Sequence, residues 1–560
     1  MSTSQSYLSS PEYGYDYVVA VTQDSINATA LDFLSHRQPI LNVCFISDDN
    51  GDPLYIDYEA FKRSANGADP FNIPASGPER EKQLANLDNA LFMYGFQAAM
   101  GLPEGFPVDK LPDIVTLGAT AKDPAIYRLL CKRFLLVQLN QIRHRKPVFE
   151  TFAQPKGPQG DPWIFTYQVG LLNEPVKDNK AFLKTPVFGN LPAGVQSKLT
   201  ENPEDFTIQH LLFDFNHAAS DVRPTIPGLN RKLEESLHED FAIKYFTEMK
   251  ATGSPVVAVT PASNNPFAGL KTEFSVNPSL AQPKLATLNY LCSTAGHQLP
   301  PAKPFTWNWV QPGAGDDIDG VCVINRSDLV ENFKSQLAPY VEQNKWLPQP
   351  TYVEVYLTSY KGGFGVVGKN YDWHGEYPNN LNIDTDKLEA PLEGDLLLHW
   401  QFQASREYDY LSGTSWMRGV TSFDLKVSCA GNTLTVEQHA WVFCKLVMVT
   451  FDRHEWNLVD LTITDTFTLA AKSDGTLTAN RTTKTTDKSS QITGDFAVPD
   501  LYRRFRDTQT EVRNNIKSSF VDIPLSFVNN VIFPGGKGFL FKDVAFSDHQ
   551  DLVAHITYKG

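Results

Sequence analysis

From Leu434 onward every second position belongs to one series: Leu434, Val436, Gln438, Ala440, Val442, Cys444, Leu446 and Met448. The alternate positions are mixed and include Glu437, His439 and Lys445. A helix repeats every 3.6 residues, so a sustained period of two demands a strand with one dry and one wet face. Uninterrupted, this strand runs ~50 Å at ~3.3 Å per residue, far beyond the usual five or six residues. A bulge near Gln438 would instead divide it into two ordinary strands. The same alternation recurs. Leu396, Leu398, Trp400, Phe402 and Ala404 oppose Leu397, His399, Gln401 and Gln403, and Val459, Leu461, Ile463, Phe467 and Leu469 oppose a threonine-rich face. Antiparallel sheets wetted on one side carry this signature, and such long one-faced strands need an elongated partner.

Helices are few. Ser327-Asp328 offers a cap, after which Leu329, Phe333, Leu337 and Val341 recur every four residues. Pro499-Asp500 opens another, with Leu501, Phe505, Val512, Ile516 and Phe520 on one side and Arg503, Arg504, Arg506, Arg513 and Lys517 as a charged outer face, before Pro524. Glu79 to Met100 reads as a third helix, while Asp123 to Gln141 fits either period. One order occurs twice: strand Val19–Val21, cap Asp24-Ser25, helix, Gln38-Pro39, strand Ile40–Ile46, and later strand Val321–Val323, cap, helix, Gln349-Pro350, strand Thr351–Tyr360. This ordered set predicts a duplicated architecture with halves 1–315 and 316–560, divided before the acidic Asp316–Asp319.

Function classes fall away in turn. The net charge of −15 argues against a nucleic-acid binder, which needs surplus Lys and Arg. Six scattered cysteines support neither a disulfide scaffold nor a zinc knuckle. The start lacks a basic region followed by an apolar one, and no apolar run nears ~20 residues, so a cytoplasmic protein without a transmembrane segment is expected, with non-classical release left open. Gly363 to Gly368 contains a GxGxxG-like string with no helix signal after it, and reads as a glycine-rich loop. Gly413–Met417 lacks the second glycine of a nucleophile elbow, and His454-Glu455 lacks a second metal-binding His. Asp372, His374 and Glu376 form the most catalytic-looking cluster and read as loop decoration; Arg143–Lys146 reads as a solvated turn. An enzyme is disfavoured, and no catalytic residue, metal or cofactor is assigned.

The two ends carry a resemblance. Tyr13-Gly14-Tyr15-Asp16 followed by Ser25-Ile26-Asn27, and at the close Phe533-Pro534-Gly535-Gly536-Lys537, Phe541-Lys542-Asp543, Phe546-Ser547-Asp548 and Asp551-Leu552, resemble the accessory proteins encoded beside clostridial neurotoxin genes, the P-forty-seven and OrfX group. Tyr15 stands where that group usually has Trp. The resemblance implies the tubular lipid-binding superfamily: an elongated α+β, β-rich fold of tandem curved antiparallel sheets, each wrapped on a long helix around an apolar channel. It implies lipid or fatty-acid-like ligands, peripheral membrane contact, or a role beside protein partners in a toxin assembly. An enzyme acting on a hydrophobic substrate is a third reading. The channel-facing expectation falls on Leu329, Phe333, Leu337 and Val341, with Leu501, Phe505, Val512 and Ile516 as a second wall.

Overall fold

The computed structural model describes residues 3–36, 39–120, 123–140, 147–157, 160–175, 207–222, 231–251, 256–262, 271–279, 282–293, 297–313, 317–360, 363–377, 395–410, 415–448, 452–493, 499–516, 533–534 and 539–558, with short stretches between 183 and 229. Arg143–Lys146, Asp316, Lys517, Phe520, Pro524 and Gly535–Lys537 lie outside them. The fold is α+β and β-rich, with several antiparallel sheets and few helices. The chain divides into two compact units. One holds Val18–Val321, Asn530–Phe539 and Thr557–Gly560; the other holds Met1–Tyr17, Cys322–Asn529 and Leu540–Ile556.

In the first unit, β1 (Tyr17–Thr22), buried throughout, leads into α1 (Gln23–His36) and β2 (Ile40–Ser47), in the expected order. The cap is Thr22, whose hydroxyl accepts from Ser25 N at 3.2 Å. A five-stranded sheet runs β3 (Pro53–Ile56), β2, β4 (Phe92–Met100), β5 (Cys131–Asn140), β6 (Val148–Ala153). On one face, α2 (Tyr58–Ser64) and α3 (Pro78–Asn89) close a core around Phe61, Leu87, Phe92 and Val137. The helix expected over Glu79–Met100 therefore stops early. Leu91 takes φ +57°, and Phe92, Tyr94, Phe96, Ala98 and Met100 then alternate as a strand. A second sheet orders Phe533–Pro534, Val256–Ala262, Thr207–Val222, Phe165–Pro175, Ala125–Leu129 and Val115–Thr116. The ambiguous Asp123–Gln141 is thus two strands.

The long helix of this unit, α4 (Arg231–Ala251), sits in a solid aromatic cluster. Phe241 meets Phe134, Phe165 and Phe96 at centroid distances of 4.9, 4.8 and 5.7 Å. Phe246 meets Tyr127 and Tyr167 edge-on, and the Tyr245 hydroxyl donates to Leu130 O at 2.9 Å.

The second unit repeats the opening: β7 (Gly320–Ile324), α5 (Arg326–Gln343), β8 (Leu347–Tyr360). Its cap is Asn325, whose side chain accepts from Ser327 N, rather than Ser327-Asp328. β8 pairs with β9 (Gly363–Glu376) from Tyr360↔Gly363 to Leu347↔Glu376. The glycine string and the Asp372–Glu376 cluster are therefore strand, not loop. A five-stranded antiparallel sheet follows: β10 (Leu396–Tyr410), β11 (Ser415–Ala430), β12 (Thr433–Met448), β13 (Asp452–Ala471), β14 (Leu477–Asp487). β12 runs unbroken over 16 residues; the register shift lies opposite Val442/Phe443, not at Gln438. Helix α6 (Pro499–Asn515) and strands β15 (Leu540–Phe546) and β16 (Leu552–Thr557) complete the chain, β16 lying between β7 and β15.

Candidate functional site

The dry face of the β10–β14 sheet carries Leu398, Trp400, Phe402, Phe423, Leu425, Val427, Leu434, Val436, Leu461 and Ile463, all buried. Gln438 and Asp465 are polar members of this face. Gln438 accepts from the Tyr340 hydroxyl of α5 at 2.5 Å, which explains the polar member of the apolar series. Asp465 is fully buried and takes a hydrogen bond from the Thr483 hydroxyl on β14, its direct cross-strand neighbour. A buried polar group without a partner costs ~1–3 kcal/mol, so these bonds fix where α5 and β14 lie.

Helix α5 packs on β10, and Tyr340 meets Phe423 edge-on at 6.1 Å. Leu329, Phe333 and Val341 are buried, whereas Leu337 is half-buried. Helix α6 packs on β9 and β13. Leu501, Phe505, Val512 and Ile516 are buried, and Arg503, Arg504, Arg506 and Arg513 are exposed, as the outer face required. Phe505 meets Trp373 at 5.5 Å and Trp456 at 5.2 Å. Trp373 Nε1 donates to the Thr508 hydroxyl at 3.1 Å, and Gln509 Nε2 to Leu458 O at 2.7 Å. The two quartets thus face different walls: α5 lies on β10, with Tyr340 reaching β11 and β12, and α6 lies on β9 and β13. Trp373, which the sequence reading missed as a wall residue, sits inside the expected Asp372–Glu376 cluster. Strand alternation buries Trp373 and exposes His374 and Glu376.

Tyr15, Asn27, Ser547 and Asp551 of the terminal motifs have structural roles. Asp551 is fully buried and accepts from Ser6 Oγ and Leu8 N at 2.7 Å each, and from Arg326 N at the start of α5 at 3.1 Å. Burial pushes its carboxyl up to about 6, against donors that favour the charged form. Ser547 Oγ donates to Ser6 O, Tyr7 stacks on His549 at 4.1 Å, and Asn325 Nδ2 donates to Tyr15 O at 2.9 Å. Asn27, in the other unit, bonds Val115 through both N–H and C=O at 2.8–2.9 Å. These residues clamp segments distant in sequence.

Two concave sites stand out among the described residues. One, of about 450 Å³, lies on the wet face of the β10–β14 sheet and is lined by His399, Gln401, Asp424, Lys426, Glu437, His439 and Thr462. His399 Nε2 lies 3.3 Å from Asp424, and His439 Nε2 lies 3.0 Å from Asp460 on β13. These pairs bridge neighbouring strands and hold the charged face together. The second, of about 400 Å³, lies at the end of the β2–β6 sheet. None of the eight residues expected to line a channel borders either cavity. All six cysteines are buried, and burial pushes the thiols of Cys44, Cys131, Cys322, Cys429 and Cys444 up, away from the nucleophilic form. Among the described residues no helix is long and apolar enough to cross a membrane.

No family model matches the chain, and no curated protein matches it. Among solved structures it is similar to P47 of Clostridium botulinum E1, with 10% identity and a TM-score of 0.40 over 98% of this chain and 100% of that one. P47 from Clostridium botulinum A2 aligns with 11% identity and a TM-score of 0.39, covering 98% of each chain. A lipopolysaccharide binding protein aligns with 9% identity and a TM-score of 0.24, covering 97% of this chain and 99% of that one.

Proposed function

We propose that the unit built on α5 and the β10–β14 sheet binds a hydrophobic, acyl-chain-like ligand without covalent chemistry, and that the chain is a tandem of related halves, 1–315 and 316–560. The observation that carries this reading is the half-buried Leu337 between the buried Phe333 and Val341, on a helix set against a long apolar sheet face. In a closed core an apolar quartet at four-residue spacing is buried alike, because interiors pack at crystal density. A half-buried member marks the place where an apolar chain could lie along α5. The Tyr340–Gln438 pair supplies a polar point beside it, as binding pockets use a few polar groups to orient an apolar ligand.

Native mass spectrometry of the purified full chain tests this directly. The expected result is a mass shift of one lipid or fatty acid, released on organic extraction. A chain that carries none, and takes up none after incubation with oleate, would overturn the reading.

A further inference from the structure

A separate groove in the other unit has the chemistry of an anion site on an apolar floor. Its floor holds Ile40, Ala99, Leu135 and Ala153 with the polar Gln97 opposite Leu135, and its rim is Lys132, Arg133 and Lys156. Ile40 is 61% exposed, far more than a core isoleucine. The pairing of β4 with β5 shifts register between Ala99↔Arg133 and Met100↔Cys131, so Lys132 is the bulged residue, and it and Arg133 both border the groove. Bulges re-aim side chains in this way.

The rim already holds one carboxylate. Glu104 accepts from Arg133 Nη2 at 2.8 Å and Nε at 3.1 Å, and lies 3.0 Å from Lys156 Nζ. These cations hold its carboxyl down at about 2. Lys132, Arg133 and Lys156 all border the groove, in a chain of net charge −15. We propose that this groove binds a single-chain carboxylate amphiphile, the tail on Ile40, Ala99, Leu135 and Ala153 and the head among Lys132, Arg133 and Lys156, with Glu104 as the internal competitor for the head. The volume of about 400 Å³ suits one short chain, near the lower end of the ~300–1,000 Å³ usual for ligand pockets. This inference does not rest on the α5 site.

Calorimetry of the full chain with dodecanoate and with dodecan-1-ol, below their micelle concentrations, tests it. The acid should bind about tenfold more tightly than the alcohol, a charge-assisted difference. Lys132→Glu should weaken the acid about tenfold, and Glu104→Gln should strengthen it severalfold by removing the competitor. Leu337→Trp, in the other unit, should leave this charge-dependent component intact, which separates the groove from the α5 site. Equal affinity for acid and alcohol, no binding of either, or a Glu104→Gln variant that binds no better would overturn the proposal.

Discussion

The helices α4 and α5 each lie against β-sheet, yet their surroundings differ. Around α4 the space is filled by rings: Phe241 touches Phe96, Phe134 and Phe165, and Phe246 touches Tyr127 and Tyr167. Around α5 the described contacts include the edge-on Tyr340–Phe423 pair and the buried Tyr340–Gln438 hydrogen bond, and Leu337 is half-buried between buried neighbours. Interlocked aromatic rings leave no room for a guest and carry stability through packing. A helix whose apolar stripe is not uniformly buried is the better host. The α4 contacts are those of a packed core, and the proposed ligand site along α5 rests on this contrast.

The largest effect should come from the filled side. Phe241→Ala removes a ring in contact with Phe96, Phe134, Phe165 and Tyr245 and should cost about 3–5 kcal/mol, read as a lowered denaturant midpoint. A loss below about 1 kcal/mol would show the α4 surroundings to be loose as well, and the contrast would collapse. Next comes the clamp at the start of α5. The Asp551 carboxyl has its folded pKa raised from 3.8 to about 6, so the folded state holds this proton more tightly than the unfolded state. Its contribution is most favourable below about pH 4 and falls as pH rises to about 6, by on the order of 3 kcal/mol. Asp551→Asn should flatten this slope in unfolding measured from pH 4 to 7. An unchanged slope would place the titration elsewhere.

A smaller effect is expected where α6 joins β9. A Cβ on Gly375 would stand 1.8 Å from the ring of Trp346, which is itself fully buried near Trp373. Gly375→Ala should cost ~1–3 kcal/mol by overpacking, with altered tryptophan fluorescence. A neutral outcome would mean that the ring has room to move, and that this wall too is a host surface.

How much of this was legible in the sequence follows from the range of each interaction. The alternation over Leu434–Met448 and Val459–Leu469 and the four-residue spacing of α5 and α6 are local, and the strands and helices appear where those periods place them. The small and aromatic residues of Phe92–Met100 satisfy either period, and Leu91 stands at the turn with no Gly or Pro to mark it. The glycine string has the composition of a loop, and pairing with β8, not propensity, makes it strand. Gln438 and Asp465 make sense in a dry face once Tyr340 and Thr483 are in place, and neither partner adjoins them in sequence. The groove was invisible for the same reason: Ile40, Ala99, Lys132 and Lys156 come from four segments, and the bulge at Lys132 exists in the pairing alone.

The smallest expected change in stability belongs to the most direct test. Leu337→Trp adds a ring beside Phe333 and Val341, where a host surface has room and a closed core has none. The measurement is thermal melting of this variant together with uptake of a fluorescent fatty acid. A binding site along α5 predicts melting within about 1 kcal/mol of the parent and clearly reduced uptake, because the ring occupies the ligand's place. A closed core predicts a loss of ~1–3 kcal/mol with uptake unchanged, and that result would contradict the account.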